Sequence, residues 1–208
     1  MEISNKLDAN LRHFHQLLRV NENFDVVYRV IQIGGRDACV YFVDGFAKDD
    51  TLLRILQGFT SLKPDAVPQT AHEFSKLFIP YGEVELLTDD AEIAVQVLSG
   101  VPCLFVDGYS KCFAIDCRTY PARGVAEPDK DKVLRGSRDG FVETLVFNTA
   151  LIRRRIRDPQ MTIEVMQAGS KSHTDIALCY MEGRVDQDLL STIKKRIERL
   201  HVDALTMN

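Results

Sequence analysis

The residues most able to do chemistry lie between Arg135 and Pro159, where a loop rich in glycine and arginine leads into an apolar-patterned segment. Gly136 and Gly140 bracket Arg138, so the loop can bend sharply and present backbone N–H groups beside guanidinium groups. Such donors at the start of a helix bind phosphate or carboxylate. The pattern predicts a ligand or subunit contact at Arg135, Gly136, Arg138 and Gly140.

The same loop has a second interpretation. It lacks the G-x-x-x-x-G-K-[ST] order of a Walker A loop, so nothing in the motif requires a nucleotide. Arg135 and Arg138 could instead tie the loop to neighbouring acidic residues or to another subunit.

The segment after the loop has helical spacing. Phe141, Leu145, Asn148 and Ile152 recur every three to four residues, which predicts a helix with one buried face. Asn148 on that face is a candidate ligand contact, and the alternative is a buried amide that satisfies backbone groups. Pro159 then stops the helix.

Four arginines follow in the last turn of this predicted helix, where the carbonyl dipoles favour cations. We predict a solvated helix end at which Arg154 and Arg155 contact another subunit, flanked by Arg153 and Arg157. Nucleic-acid binding is disfavoured because it needs a wider basic surface, and the chain carries a net charge of −4.

Motifs for catalysis and metal binding are missing from the sequence. There is no G-x-S-x-G, no H-E-x-x-H and no G-x-G-x-x-G after a strand, so we predict neither a catalytic residue nor a cofactor. The five cysteines include no C-x-x-C pair and mostly fall in apolar runs. Buried free thiols are therefore expected rather than disulfides or metal ligands.

Charge divides the chain into two parts. Residues 1–131 hold 13 basic and 20 acidic residues, a net charge of −7. Residues 132–208 hold 13 basic and 10 acidic residues, a net charge of +3. The stretch 118–131 contains two prolines and a glycine, which favours an extended connection. We predict an α/β (α+β) fold with subdomains 1–117 and 132–208 joined by the linker 118–131.

Periodicity predicts the elements of both subdomains. The first has an opening helix, a hairpin turning at Gly34-Gly35, three further helical segments (49–62, 71–78 and 89–98) and a second hairpin turning at Asp107-Gly108. The second has βαββαβ order, with outer strands at Lys132–Leu134 and Val202–Leu205 and a last helix capped by Asp186.

Three segments of the second subdomain resemble a known family. They are RGSRDGFVE from Arg135, NTALIRRRI from Asn148, and TDIA from Thr174 continuing to YMEG at Tyr180. In order and spacing they are similar to the soluble N-terminal domain of the A subunit of spore germinant receptors, the GerA family. A stage V sporulation paralogue carries the same motifs.

The resemblance implies a binding and signalling role in spore germination rather than an enzyme. It implies B and C receptor subunits as partners, a full-length protein embedded in the spore inner membrane, and this domain on the cytoplasmic side. Self-association and a small nutrient germinant bound between the subdomains are left open. The chain ends at Asn208 before any apolar run of the roughly eighteen residues that span a membrane. A stand-alone cytosolic regulator that binds an anion or nucleotide is the alternative from another class.

Overall fold

The computed structural model describes residues 2–47, 49–80, 82–119 and 140–205. Its larger sheet has five antiparallel strands in the order β1-β2-β4-β5-β3. The strands are β1 Val26–Ile33, β2 Arg36–Val43, β3 Glu83–Leu87, β4 Cys103–Val106 and β5 Cys112–Asp116. The helices that accompany them are α1 Leu7–Leu17, α2 Asp49–Thr60, α3 Ala71–Phe78 and α4 Asp90–Leu98, with a short 3₁₀ turn at Pro64–Ala66.

Strand β2 contributes to a hydrophobic core on each face of this sheet, since consecutive side chains of a strand point to opposite faces. On β2, Cys39, Tyr41 and Val43 belong to the core that includes residues of α1 and α4. Ala38 and Val40, which alternate with them, belong to a second core with residues of α2 and α3. The first part of the chain is therefore a three-layer structure with the sheet in the middle.

The second part is a hairpin between two helices. It consists of α5 Leu145–Arg155, β6 Met161–Ala168, β7 Thr174–Met181 and α6 Gln187–Glu198, and β6 and β7 form an antiparallel two-stranded sheet. Lys194 of α6 contacts Glu164 and Tyr180, which lie on one face of the hairpin. Cys179 lies on the other face, where burial and the charge of Asp25 raise the pKa of its thiol and the nearby Arg153 of α5 lowers it. The two helices therefore cover opposite faces.

Most predicted elements are confirmed, including both hairpins of the first part and the Asp186 cap. The Asp186 carboxylate accepts hydrogen bonds from the backbone N–H of Asp188 and Leu189 at 2.9 and 3.0 Å. Strand β3 was not predicted, although Val84 and Leu86 alternate with glutamates. It pairs with β5 and closes the sheet at that edge.

Two predictions about the second part are wrong. Residues 202–205 do not form a strand, because the carbonyls of Val202 and Asp203 accept hydrogen bonds from backbone N–H groups in the β6–β7 turn. The buried residues of α5 are Thr149, Ala150 and Arg153, whereas Phe141 lies before the helix and is 65% exposed. The predicted strand at 132–134 and most of the predicted linker lie outside the described residues, and the domain limits stay a prediction.

The cysteine prediction is confirmed in four of five positions. Cys39, Cys103, Cys112 and Cys117 are buried free thiols, and Cys179 is a free thiol exposed on β7. Burial raises the pKa of Cys39 to about 12. Burial also raises the pKa of Cys112, and the neighbouring Cys103 raises it further.

This distribution predicts the thiol reactivity of the folded protein. Because a thiolate is the reactive form and burial raises the pKa of the Cys179 thiol, Cys179 should react with a disulfide reagent slowly near neutral pH and faster at higher pH, while the four buried thiols stay unmodified. Unfolding in guanidinium chloride should release all five. Counting released thionitrobenzoate with and without denaturant checks this. Reaction of more than one thiol in the native protein would contradict the packing of the first core.

Candidate functional site

A fully buried arginine joins the two parts of the structure. Arg153 on α5 has 0% exposure, and its carboxylate partner Asp25, directly before β1, is 2% exposed. The guanidinium Nε and Nη2 donate to the two Asp25 carboxylate oxygens at 2.8 and 2.9 Å. This is the bidentate geometry that a planar guanidinium favours. An α5 residue is thereby fixed to the entry of the large sheet.

The remaining donors of Arg153 reach two further segments. Nη1 donates to the carbonyl of Met161 on β6 at 2.9 Å, and Nη2 donates to Oδ1 of Asn23 at 3.0 Å. Burying a charge is costly unless it is paired and hydrogen-bonded, and this network meets both conditions. One side chain therefore holds the chain before β1, helix α5 and strand β6 together.

Asn23 repeats the connection from the other side. Its Oδ1 also accepts from the backbone N–H of Ile163 at 2.8 Å, while its Nδ2 donates to the Leu18 carbonyl at 3.1 Å. The N–H of Phe24 donates to the Ile163 carbonyl at 3.0 Å. Residues 23–24 thus pair with the edge of β6 as a short strand would, and this ties the hairpin to the first part.

Helix α5 also approaches the turn after β2 very closely. Gly45 has a positive φ of 80°, and a Cβ placed there would lie 3.0 Å from a methyl carbon of Val146. The Asp44-Gly45 pair therefore serves as a turn whose second residue has no room for a side chain. Helix α5 is therefore held in place twice, by its close approach to Gly45 and by the buried ion pair between Arg153 and Asp25.

Two open grooves run beside this junction along α1. The first, of about 550 Å³, is lined by residues of α1 and the turn after it: Leu11, Arg12, His15, Gln16, Arg19, Asn21 and Glu22. The second, of about 610 Å³, lies between α1 and the segment before β6, and is lined by His13, Gln16, Leu17, Arg19, Asp158, Pro159 and Gln160. The second groove therefore lies between the two predicted subdomains.

Arg19 lines both grooves and makes a second link between the parts. Its backbone is left-handed with φ of 51°, a conformation uncommon outside glycine. Its guanidinium pairs with Glu22 and lies 3.1 Å from Glu182, which follows β7. The groove wall thus carries charges of both signs held by contacts across the junction.

The predicted site residues fall in different places. Arg135, Gly136 and Arg138 lie outside the described residues. Gly140 is half-buried and a Cβ there would meet open space. The Asn148 amide accepts from the Val142 N–H and donates to its carbonyl, both at 2.7 Å, which agrees with its backbone-satisfying interpretation.

The predicted basic helix end divides into two kinds of arginine. Arg154 and Arg155 are exposed, as predicted. Arg153 is not part of a solvated end, which corrects the sequence interpretation, because the helix turns it toward Asp25. The sequence indicates the burial of Arg153 only weakly. Arg153 lies three and four residues after Ala150 and Thr149, so it shares a helix face with two small residues.

Among the described residues, no helix has the length and apolarity needed to cross a membrane. The same residues contain no group of three or more His, Cys, Asp or Glu side chains placed to hold a metal ion. The fold defines an α/β domain in which a layered sheet and a helix-flanked hairpin share a buried polar junction.

The chain belongs to the family described as Bacillus/Clostridium GerA spore germination protein, whose model matches residues 13–208. It is 36% identical over 203 residues to stage V sporulation protein AF of Bacillus subtilis, covering 95% of this chain and 40% of that protein. It is 29% identical over 192 residues to spore germination protein KA of the same organism, covering 89% and 35%. The chain thus spans less than half of these relatives.

A solved structure shares the fold. The N-terminal domain of the A subunit of the Bacillus megaterium spore germinant receptor GerK3 aligns with a TM-score of 0.74 over 95% of this chain and 73% of that chain. The identity is 23%. The predicted family and fold class are confirmed, and the family is one of germination and sporulation proteins rather than a known enzyme family.

The buried junction gives a stability prediction. Arg153→Ala should lower the free energy of unfolding by about 3–5 kcal/mol, because it leaves the Asp25 carboxylate buried without a partner. Arg155→Ala, on the exposed side of the same helix, should cost about 1 kcal/mol or less. Urea denaturation followed by circular dichroism measures both.

A double variant tests the pairing itself. Asp25→Leu with Arg153→Met should be less destabilised than the sum of the two single variants, because no unpaired charge remains. Additive losses would show that the two side chains do not depend on each other.

Proposed function

We propose that this chain is the N-terminal domain of the A subunit of a nutrient germinant receptor, and that it serves receptor assembly and signal coupling. In this proposal it lies on the cytoplasmic side of the spore inner membrane and contacts B and C subunits. Its family membership and its likeness to a germinant receptor A-subunit domain carry the proposal.

The junction supports a coupling role. Arg153, Asn23 and Asp25 connect α5 and β6 to the large sheet through hydrogen bonds buried from water. If the hairpin part moved alone, the hydrogen bonds of Arg153 would break and leave an unpaired buried charge, which is strongly unfavourable. The large sheet would therefore move with the hairpin part. Movement imposed on one part by a partner subunit would therefore reach the other.

The exposed end of α5 is the proposed assembly surface. Arg154→Glu or Arg155→Glu should weaken receptor assembly by reversing a charge, while the isolated domain keeps its unfolding midpoint because both side chains are exposed. Quantitative immunoblots of receptor subunits in spores, together with germination rates, measure the effect. Arg54→Glu, an exposed arginine on α2, is the matched control.

Normal receptor levels and germination in the α5 variants would contradict the proposal that the exposed end of α5 is an assembly surface. An equal defect in the Arg54→Glu spores would show that charge reversal anywhere on the domain is harmful, and would remove the evidence for α5.

A second candidate is a sporulation role. The identity to stage V sporulation protein AF is 36%, against 29% for spore germination protein KA. Affinity purification of the full-length protein from spores separates the candidates. Recovery of a B and a C subunit supports the receptor proposal, and recovery of neither favours the sporulation role.

The groove between α1 and the segment before β6 is the proposed place for a small nutrient. Its volume of about 610 Å³ lies in the range of small-molecule sites. Arg19, Asp158 and Gln160 offer a cation, an anion and an amide, a set that suits a zwitterion such as an amino acid. The groove lies along α1, and Arg135, Gly136 and Arg138 of the predicted glycine-arginine loop lie outside the described residues.

An NMR titration tests this groove. Millimolar amino acids or sugars should shift the amide signals of Gln16 and Gln160, and Gln160→Ala should reduce the response because the segment before β6 then lacks its amide. Gln57→Ala, exposed on α2 and outside the residues that line the groove, should leave the response unchanged. A panel of nutrients that shifts neither groove amide would overturn nutrient binding here and leave the assembly proposal standing.

A further inference from the structure

Helix α6 presents an unusual outer face. It packs on the hairpin through the buried Leu190 and through Lys194, whose ammonium lies 2.5 Å from a Glu164 carboxylate oxygen. Two aliphatic side chains of the helix remain exposed, Leu189 at 57% and Ile193 at 38%, and so does Leu200, two residues after its end, at 41%. Leu189 and Ile193 lie about 40° apart around the axis at 3.6 residues per turn, and with Leu200 beyond the helix end they make up a row of exposed aliphatic side chains.

Cations accompany this row. Arg196 falls about 20° from Leu189 around the helix, in the gap between Ile193 and Leu200. Lys195, about 120° from Leu189, and Arg199, directly after the helix, are also exposed. Two acidic side chains of the helix are exposed as well: Asp188 lies about 100° from Leu189, on the side of Lys195, and Glu198 lies half a turn from Leu189. The exposed surface of α6 therefore combines aliphatic side chains with a small excess of basic over acidic ones.

We propose that this outer face of α6 docks on an anionic lipid surface. Aliphatic side chains that enter the headgroup region beside Lys and Arg are the pattern by which a helix lies in a membrane interface. The basic side chains would meet the negative headgroups while Leu189, Ile193 and Leu200 lose water. The chain as a whole is acidic, so this local basic charge would orient the domain with α6 toward the lipid.

A lipid surface fits these side chains better than a protein partner. The row contains leucine and isoleucine without tyrosine or tryptophan, whereas aromatic anchors dominate the energetics of protein interfaces. A bilayer interface also needs no matching cavity in a partner.

Vesicle sedimentation tests the proposal. The 208-residue chain should sediment with vesicles of phosphatidylglycerol and phosphatidylcholine, remain in solution with phosphatidylcholine alone, and be released by high salt. Arg196→Glu should lower the partition coefficient by about tenfold or more, because each basic residue near an anionic surface contributes a several-fold preference. Leu189→Gln should lower it several-fold.

The chain offers closely matched controls. Leu53 and Arg54 are adjacent on α2, and Leu53 is 54% exposed against 57% for Leu189. Leu53→Gln and Arg54→Glu should leave binding unchanged, and all four variants should keep the unfolding midpoint of the parent chain.

Several outcomes would overturn the proposal. They are absence of sedimentation with anionic vesicles, as expected if α6 receives a protein partner instead; equal binding to neutral vesicles; and losses in the α2 variants as large as those in the α6 variants.

Discussion

The buried pairing of Arg153 with Asp25 is the constraint on which the arrangement of this protein depends. A buried ionised arginine is tolerated only where its donors find partners. Here the partners are Asp25 and Asn23, both before β1, and the Met161 carbonyl on β6. Because these segments are far apart in sequence, the pairing can form only when the hairpin part is seated against the layered part. A nonpolar substitute of similar volume could match its stability, but it would not fix the direction of approach of α5.

The location of the junction relates structure to the proposed role. The groove between α1 and the segment before β6 borders it, the exposed end of α5 begins one residue after Arg153, and α6 covers the far face of the hairpin. A ligand, a subunit and a lipid surface would therefore contact three sides of one connected unit. Coupling between such surfaces needs only a shared element that each contact can bias.

Much of the fold could be predicted because local rules agree with it. Helices α2, α3, α4 and α6 and both hairpins follow from periodicity, caps and Asp-Gly or Gly-Gly turns, which are decided within a few residues. The missed strand β3 is short and carries glutamates, so its strand character depends on pairing with β5. The predicted strand at 202–205 failed because its carbonyls serve the β6–β7 turn instead. Neither choice can be read from one segment alone.

The candidate site shows the same division. The sequence by itself determined the family, the basic character of the helix near Arg154, the free thiols and the mixed α/β composition, since these are properties of residue type and spacing. Only the tertiary structure decided that Arg153 turns inward while Arg154 and Arg155 remain exposed, and that the apolar stripe of α6 is only partly covered. The physical reason is that burial depends on which partner lies across the helix, and Asp25 is 128 residues away in the chain.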